Sequence, residues 1–332
     1  MNKRLLTVVG IVVATALLSA LMLSVREEDH HADDPPKTDA YGLAEEKLHE
    51  ILEEDGVRAA LDELTRIAKS DTELAGQCHG LAHGIGHEAL EHEGFETALT
   101  FEDDICGSGY LHGVIESHFA ETPEDEIPAL FAKTCPPQSG KCFHGLGHGA
   151  MAVYDNDIEQ SLVLCHSLKE GFQKIQCAEG VFMEHFASDG SAHPSPLLDP
   201  EDPYKACRGQ SDADRGVCAF YTPRYLLRLN PGAYAEAVDW CRLIDEPSRP
   251  ACIKGVGSAA MKEHVGEPEI AIAACAELTG ADHALCVEGL VSYTIVHFAS
   301  AEKGRALCPS LTVADRAACE RISAQSEPFY GE

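Results

Sequence analysis

The chain has 332 residues and a formal net charge of -30; 45% of its residues are hydrophobic and 6% are aromatic. The apolar content is that of a folding chain, and the shortage of aromatic residues favours helices packed through small residues over a β-sandwich. The negative field repels nucleic acid and anionic lipid surfaces, which excludes a general nucleic-acid-binding protein. The acidic residues either form a solvated surface or attract cations.

The N-terminal segment indicates where the chain resides. Residues 1–4 form a basic cytoplasmic head, and residues 5–25 are an uncharged apolar run of 21 residues, long enough to span a bilayer as a helix. Acidic residues follow, so the charge asymmetry predicts the N-terminus inside the cell and the bulk of the chain in the periplasm or outside. Because no small-x-small cleavage site ends the run, we expect an uncleaved signal anchor and a single-pass membrane protein.

Residues 41–325 carry helical periodicity and an internal repeat, between an acidic linker at 26–40 and a tail at 326–332. A glycine followed by leucine or valine recurs with spacings of 33, 32, 35, 75 and 34 residues. The long spacing splits at Cys218, whose segment places Tyr221 at the glycine position, and a loop rich in Pro, Ser and Asp is inserted at 187–206. A period of about 34 residues is that of a helix–turn–helix unit. We therefore expect an all-α array of hairpin repeats, either an open solenoid or a closed toroid.

All 14 cysteines are expected in disulfides, because the compartment outside the membrane is oxidising. Each later unit has one cysteine near the end of its first helix and another near the start of its second, so a bridge would link the two helices and stabilise them by about 2–3 kcal/mol. Two cysteines are left over, and up-down connectivity brings them together. The expected bridges are Cys78–Cys106, Cys135–Cys142, Cys165–Cys177, Cys207–Cys218, Cys241–Cys252, Cys275–Cys286 and Cys308–Cys319.

The period, the hairpin form and the helix-flanking cysteine pairs over residues 57–325 resemble the disulfide-stapled members of the Sel1-like and tetratricopeptide class of helical repeats. Members of that class commonly act as protein-binding scaffolds. The resemblance implies this much and says nothing about the histidines.

Histidines concentrate in the first three units, at the residue before the repeat glycine and at the residue one helical turn later. Imidazoles spaced i, i+4 share a helix face and can bind one metal ion. In later units the same positions hold mainly Glu, Lys, Met or Ser. The repeat pattern thus continues in units that lack the histidines. The candidate metal ligands are His79, His83, His112, Glu116, His144 and His148, with His87 as a further candidate.

The repeat predicts how these ligands combine. Neighbouring second helices lie roughly 10 Å apart, so the first and second units would form one four-ligand site and the second and third units another, both using His112 and Glu116. The outer two helices would be about 20 Å apart in a straight array, and could share a site only in a tightly curved or closed one. Histidine-rich sites without free thiolates suit Zn, Cu, Ni or Fe.

Two classes of function remain open. One is binding of a transition metal, or of a metal cofactor, by the first three repeats; catalysis is undecided, because the chain has no phosphate loop and no Gly-x-Ser-x-Gly turn to identify a reaction. The other is a protein–protein interaction scaffold at the cell envelope with structural histidines. A basic cluster either receives an envelope partner or only neutralises nearby acidic residues. Its members are Arg208, Arg215, Arg224, Tyr225 and Arg228.

Overall fold

The computed structural model describes residues 39–101, 103–187, 195 and 197–330. Within these residues the secondary structure is helical and no β-strand occurs. The α-helices are α1 (Asp39–Asp55), α2 (Val57–Ser70), α3 (Thr72–Glu93), α4 (Phe95–Ala98), α5 (Ile105–Ala120), α6 (Ile127–Thr134), α7 (Gly140–Val153), α8 (Ile158–Ser167), α9 (Gly171–Ala187), α10 (Asp212–Leu229), α11 (Tyr234–Cys241), α12 (Arg249–Glu263), α13 (Pro268–Ala276), α14 (Gly280–Phe298), α15 (Ala301–Leu307) and α16 (Val313–Tyr330). Short 3₁₀ helices cover Leu99–Phe101 and Cys308–Ser310.

Seven long helices form the inside of the array. These inner helices are α3, α5, α7, α9, α10, α12 and α14; each packs against the next in chain order, and all seven line one central cavity. The shorter helices α8, α11 and α13 pack against the inner helices that precede and follow them. The predicted all-α class is confirmed, and the packing of longer and shorter helices is compatible with the predicted helical repeat.

The array curves back on itself. The last inner helix, α14, packs against α5, and Nε2 of His297 near the end of α14 lies 3.6 Å from Sγ of Cys78 in α3. The turn after α12 also meets the start of α3, where a Cβ added to Gly266 would lie 2.5 Å from the carbonyl oxygen of Thr72. Of the two forms that the sequence left open, the structure shows the closed one.

Seven disulfides link the helices, and they are the seven pairs that the cysteine spacing predicts. Cys165, Cys241 and Cys275 lie near the ends of α8, α11 and α13, and their bridges join each of these helices to the first half of the next inner helix. The bridges are Cys78–Cys106, Cys135–Cys142, Cys165–Cys177, Cys207–Cys218, Cys241–Cys252, Cys275–Cys286 and Cys308–Cys319.

The repeat glycines bring neighbouring inner helices into backbone contact. A Cβ added to Gly180 would lie 2.0 Å from the carbonyl oxygen of His144 in the preceding unit. The same 2.0 Å separates an added Cβ at Gly255 from the carbonyl of Phe220. Because these helices touch without intervening side chains, their axes approach more closely than is usual for packed helices.

We therefore expect Gly180→Ala to destabilise the protein by on the order of 3 kcal/mol, because the added methyl group overlaps the α7 backbone. Gly216→Ala is the matched control: it lies inside α10 and its added Cβ would meet nothing within 4 Å. There alanine should stabilise by about 0.5–1 kcal/mol through helix propensity. Urea unfolding with intact disulfides measures both, and a loss of stability of equal size in the two variants would contradict the packing role of Gly180.

The chain termini differ in part from the sequence predictions. The signal anchor expected at 5–25 lies outside the described residues, and among those described no helix is both long and apolar enough to cross a membrane. The expected linker at 26–40 ends earlier, because α1 already begins at Asp39. The expected tail at 326–332 is helical through Tyr330, and Pro328 sits within the last turn of α16.

The inserted loop at 187–206 is described only in part. Helix α9 continues through Ala187, and the chain from 197 to 210 runs mainly through turns. Residues 188–194 and 196 lie outside the described part of the chain.

Candidate metal centre

Three adjacent inner helices, α3, α5 and α7, bring seven candidate ligands together. They form three overlapping groups, and within each group one ligand atom per residue lies within 4.8 Å of the others. His112 belongs to two groups and so does His83, which makes the groups continuous. We call these seven residues the histidine cluster; its groups are His79–His83–His112, His112–His144–His148 and His83–His87–Glu116.

The cluster contains every predicted ligand, but the grouping differs from the prediction. Glu116 combines with His83 and His87 rather than with the ligands of α7, and its Oε2 lies 3.7 Å from Nδ1 of His83. His112 alone is shared between the two groups made of histidine only. The imidazole rings of His83 and His148 are 6.2 Å apart, so α3 and α7 contribute to one region. The closed, curved form of the array allows side chains of α3 and α7 to reach one region.

Capping residues fix where the two outer ligand helices begin. The Asp71 side chain accepts hydrogen bonds from the backbone N–H groups of Glu73 and Leu74, 3.0 Å each, and starts α3. Ser139 Oγ accepts from the backbone N–H of Cys142 and starts α7. The caps accept hydrogen bonds from backbone N–H groups that have no partner within the helix, and so they fix the residue at which each helix begins. The starting residue in turn determines which face of the helix carries the candidate ligands.

The start of α5 has an unusual backbone. Cys106, Gly107 and Ser108 have φ values of 59°, 67° and 62°, in the left-handed region that non-glycine residues avoid. This conformation places the Cys106 carbonyl oxygen 2.7 Å from Nδ1 of His79. A carbonyl only accepts, so Nδ1 carries the proton and Nε2 of His79 carries the lone pair. Strained backbone thus fixes the tautomer of a candidate ligand.

A carboxylate orients a second ligand. Nδ1 of His148 donates to Oε2 of Glu184 in α9 across 2.9 Å, and the His148 side chain is fully buried. The lone pair of His148 is therefore on Nε2, which is buried and has no hydrogen-bond partner among the described residues. A histidine ligand with its other nitrogen bonded to a carboxylate is typical of metal sites. Sequence reasoning missed Glu184, because no repeat position marks it.

His112 lies at the centre of the cluster. Its ring is 4.6 Å from that of His148 and 4.9 Å from that of His144, and the residue is 2% exposed. Burial, reinforced by the neighbouring imidazoles, holds the pKa of His112 well below its usual value. The ring is therefore neutral at neutral pH, which is the form that binds a metal ion.

The cluster borders the central cavity, whose volume is about 340 Å³. His79, His112 and His144 face this cavity, together with Glu179 of α9. Glu179 lines the cavity, and a third of its side chain remains accessible. Burial raises the pKa of Glu179 to about 7, while a hydrogen bond from Gln176 opposes the shift.

The residues of the predicted basic cluster lie in different surroundings, and two of them pair with nearby carboxylates, which is one of the two alternatives that the sequence leaves open. Arg208 pairs with Asp202, and Arg215 pairs with Asp212; both arginines line an outer groove. Arg224 lines the central cavity instead. The remaining two members pack on each other along α10, with the guanidinium of Arg228 5.2 Å from the ring centroid of Tyr225.

Because His297 is buried where α14 meets α3, we expect the stability of the fold to fall at acidic pH. Burial, helped by the charge of Lys262, lowers its pKa to about 4. The unfolded chain takes up this proton near pH 6.5, so stability is complete above that pH and is lost as the pH falls towards 4. Between pH 7 and pH 4.5 we expect the protonation of His297 to lower the free energy of unfolding by roughly 2–3 kcal/mol.

Denaturant unfolding at the two pH values checks this expectation. His297→Gln should reduce the pH dependence by that amount. An identical pH dependence in the wild type and His297→Gln would contradict the assignment.

In comparisons with protein-family models, with curated proteins and with solved structures, nothing matches this chain.

Proposed function

We propose that this protein binds transition-metal ions through the histidine cluster. The observation that carries the proposal is the convergence of imidazoles from three inner helices, in two groups that share His112. Three imidazole ligands with a further position left for water or another molecule suit zinc, copper, nickel or iron.

A purely structural role for these histidines, without a metal ion, explains their arrangement less well. Nδ1 of His112 and Nε2 of His148 are buried and have no hydrogen-bond partner among the described residues, which costs free energy in a packed interior. A metal ion bound to those nitrogens would recover this cost. The bonds from His79 to Cys106 and from His148 to Glu184 orient the rings as ligands are oriented at metal sites.

We further propose that the metal is held outside the cytoplasm, by a chain anchored through residues 5–25. The apolar run and the charges around it support the anchor. The seven disulfides support an oxidising compartment. Storage, delivery and metal-assisted chemistry are all compatible with this site, and an envelope scaffold remains the alternative that the repeat architecture suggests.

Elemental analysis of the purified full-length chain tests the proposal. The protein is loaded separately with Zn²⁺, Cu²⁺, Ni²⁺ or Fe²⁺, dialysed against metal-free buffer and analysed for bound metal. We expect about one to two equivalents of the preferred ion, and loss of most of it in His144→Ala plus His148→Ala. His166→Ala, outside the cluster, is the control. Less than about one-tenth equivalent of every metal in the wild type would overturn the proposal.

A further inference from the structure

The central cavity is basic in a chain that is strongly acidic. The whole chain carries a net charge of -30, yet among the described residues the cavity lining includes the three cations Lys141, Arg224 and Lys262 and a single carboxylate, Glu179. Such a lining attracts anions, because field lines concentrate in a cleft with low-dielectric walls.

Arg224 is the cation least compensated by the protein. Its guanidinium carbon lies 4.8 Å from the ring centroid of Tyr221, which holds the side chain in place. Its Nη1 is shielded from solvent and has no hydrogen-bond partner among the described residues. By contrast, Lys141 pairs with Asp104. Arg242, an arginine on the outer surface, pairs with Asp282, with 2.6 Å between its Nη2 and the Oδ2 of the carboxylate. A shielded guanidinium with no carboxylate partner in the described part of the chain is well suited to bind an anion.

The repeat gives Arg224 a defined place. It occupies the position one helical turn after the repeat glycine position, the same position that His83, Glu116 and His148 occupy in the first three units. Arg224 therefore shares its repeat position with three members of the histidine cluster, and it lines the central cavity together with three others, His79, His112 and His144.

The remaining lining suits the organic part of a small molecule. Phe220, Tyr221, Tyr293 and Tyr330 supply aromatic surface, and two inner helices supply the hydroxyl groups of Ser258 and Ser292. A volume of about 340 Å³ is at the lower end of the range for pockets that bind small ligands. Bare inorganic anions would leave this aromatic surface uncovered.

We propose that the central cavity binds a small organic anion whose acid group pairs with Arg224 and whose body packs against the aromatic rings. The acid group is a carboxylate or a phosphate monoester, since a guanidinium binds both through paired N–H donors. The anion site rests on the proposed function in one respect: a metal ion bound to the histidine cluster would lie beside the same cavity and could contact the bound anion.

Isothermal titration with benzoate, phenyl phosphate and uncharged benzamide tests the proposal on the full-length chain. Each probe is titrated into metal-loaded and metal-free wild type, Arg224→Gln, Arg224→Lys and Arg228→Gln. We expect one or both anions to bind the wild type at least about 10-fold more tightly than benzamide. Arg224→Gln should lose at least about 10-fold in affinity, Arg224→Lys should regain part of it, and Arg228→Gln should match the wild type. The anion that binds more tightly identifies the acid group.

The outcomes separate this inference from the metal proposal. Equal affinity of wild type and Arg224→Gln, no preference over benzamide, or no binding of any probe would each overturn the anion site, whatever the metal content. Absence of metal would overturn the proposed function, and Arg224-dependent anion binding by the metal-free protein would then still support the anion site. Arg224→Gln should retain the wild-type metal content, which shows that the variant folds.

Discussion

Metal binding should be lost from both histidine groups when His112 is replaced by alanine, because this one imidazole belongs to each of them. The variant keeps His79 with His83 and His144 with His148, each pair without its third imidazole, while the group of His83, His87 and Glu116 stays intact. Removing residues that only orient a ligand costs 10–100-fold in affinity, so we expect a loss of at least about 100-fold here. Competition against a chelator of known affinity measures it.

Two further variants make the result interpretable. His112→Gln keeps more of the buried volume than alanine and should lose metal in the same way, which separates ligand loss from a cavity in the core. His118→Ala changes a histidine of the same helix that stacks on Phe95, 3.7 Å between ring centroids, outside the cluster. Unchanged affinity in both His112 variants, or an equal loss in His118→Ala, would mean that His112 is not a ligand.

Removing the Cys78–Cys106 disulfide should weaken the fold and the metal site together. The bridge closes a loop with a sequence separation of 28, so Cys78→Ser plus Cys106→Ser should destabilise by about 3–4 kcal/mol on the entropic model. Cys106 also holds the strained start of α5, whose carbonyl oxygen accepts from His79. With that restraint gone, we expect metal affinity to fall by about 10-fold or more.

The Cys308–Cys319 bridge provides a matched control far along the chain from the cluster. It has a sequence separation of 11, so its removal should cost about 3 kcal/mol while metal affinity stays at the wild-type value. Stability is measured by thermal unfolding, and metal affinity by chelator competition, for both double variants. If both lost metal affinity equally, the effect of the first would reflect general destabilisation and not the support of His79 by Cys106.

Much of the architecture could be predicted from the sequence because it repeats. The glycine spacing gave the helical hairpin unit, and the position of each cysteine relative to that unit gave its disulfide partner. That the candidate ligands form a cluster could be predicted for the same reason: His79, His112 and His144 share one position in the repeat. Each of these inferences needs only periodicity and the geometry of a hairpin.

Three features could not be predicted, because they depend on how units meet in space. Glu116 groups with His83 and His87, since the angle between α3 and α5 decides which side chains converge. Glu184 supports His148 from the fourth unit, at a position with no counterpart in the pattern. Arg224 faces the central cavity, whereas its sequence neighbours among the arginines lie elsewhere, and only the closed form of the array creates that cavity.

Closure also constrains how such a chain can evolve. An open array tolerates the gain or loss of a repeat, because each unit contacts only its neighbours. Here α14 contacts α5, and the turn after α12 packs on the start of α3. A duplicated or deleted unit would break these contacts and change the width of the cavity. The closure contacts therefore constrain the number of units, whereas side chains and insertions between units can change without breaking them.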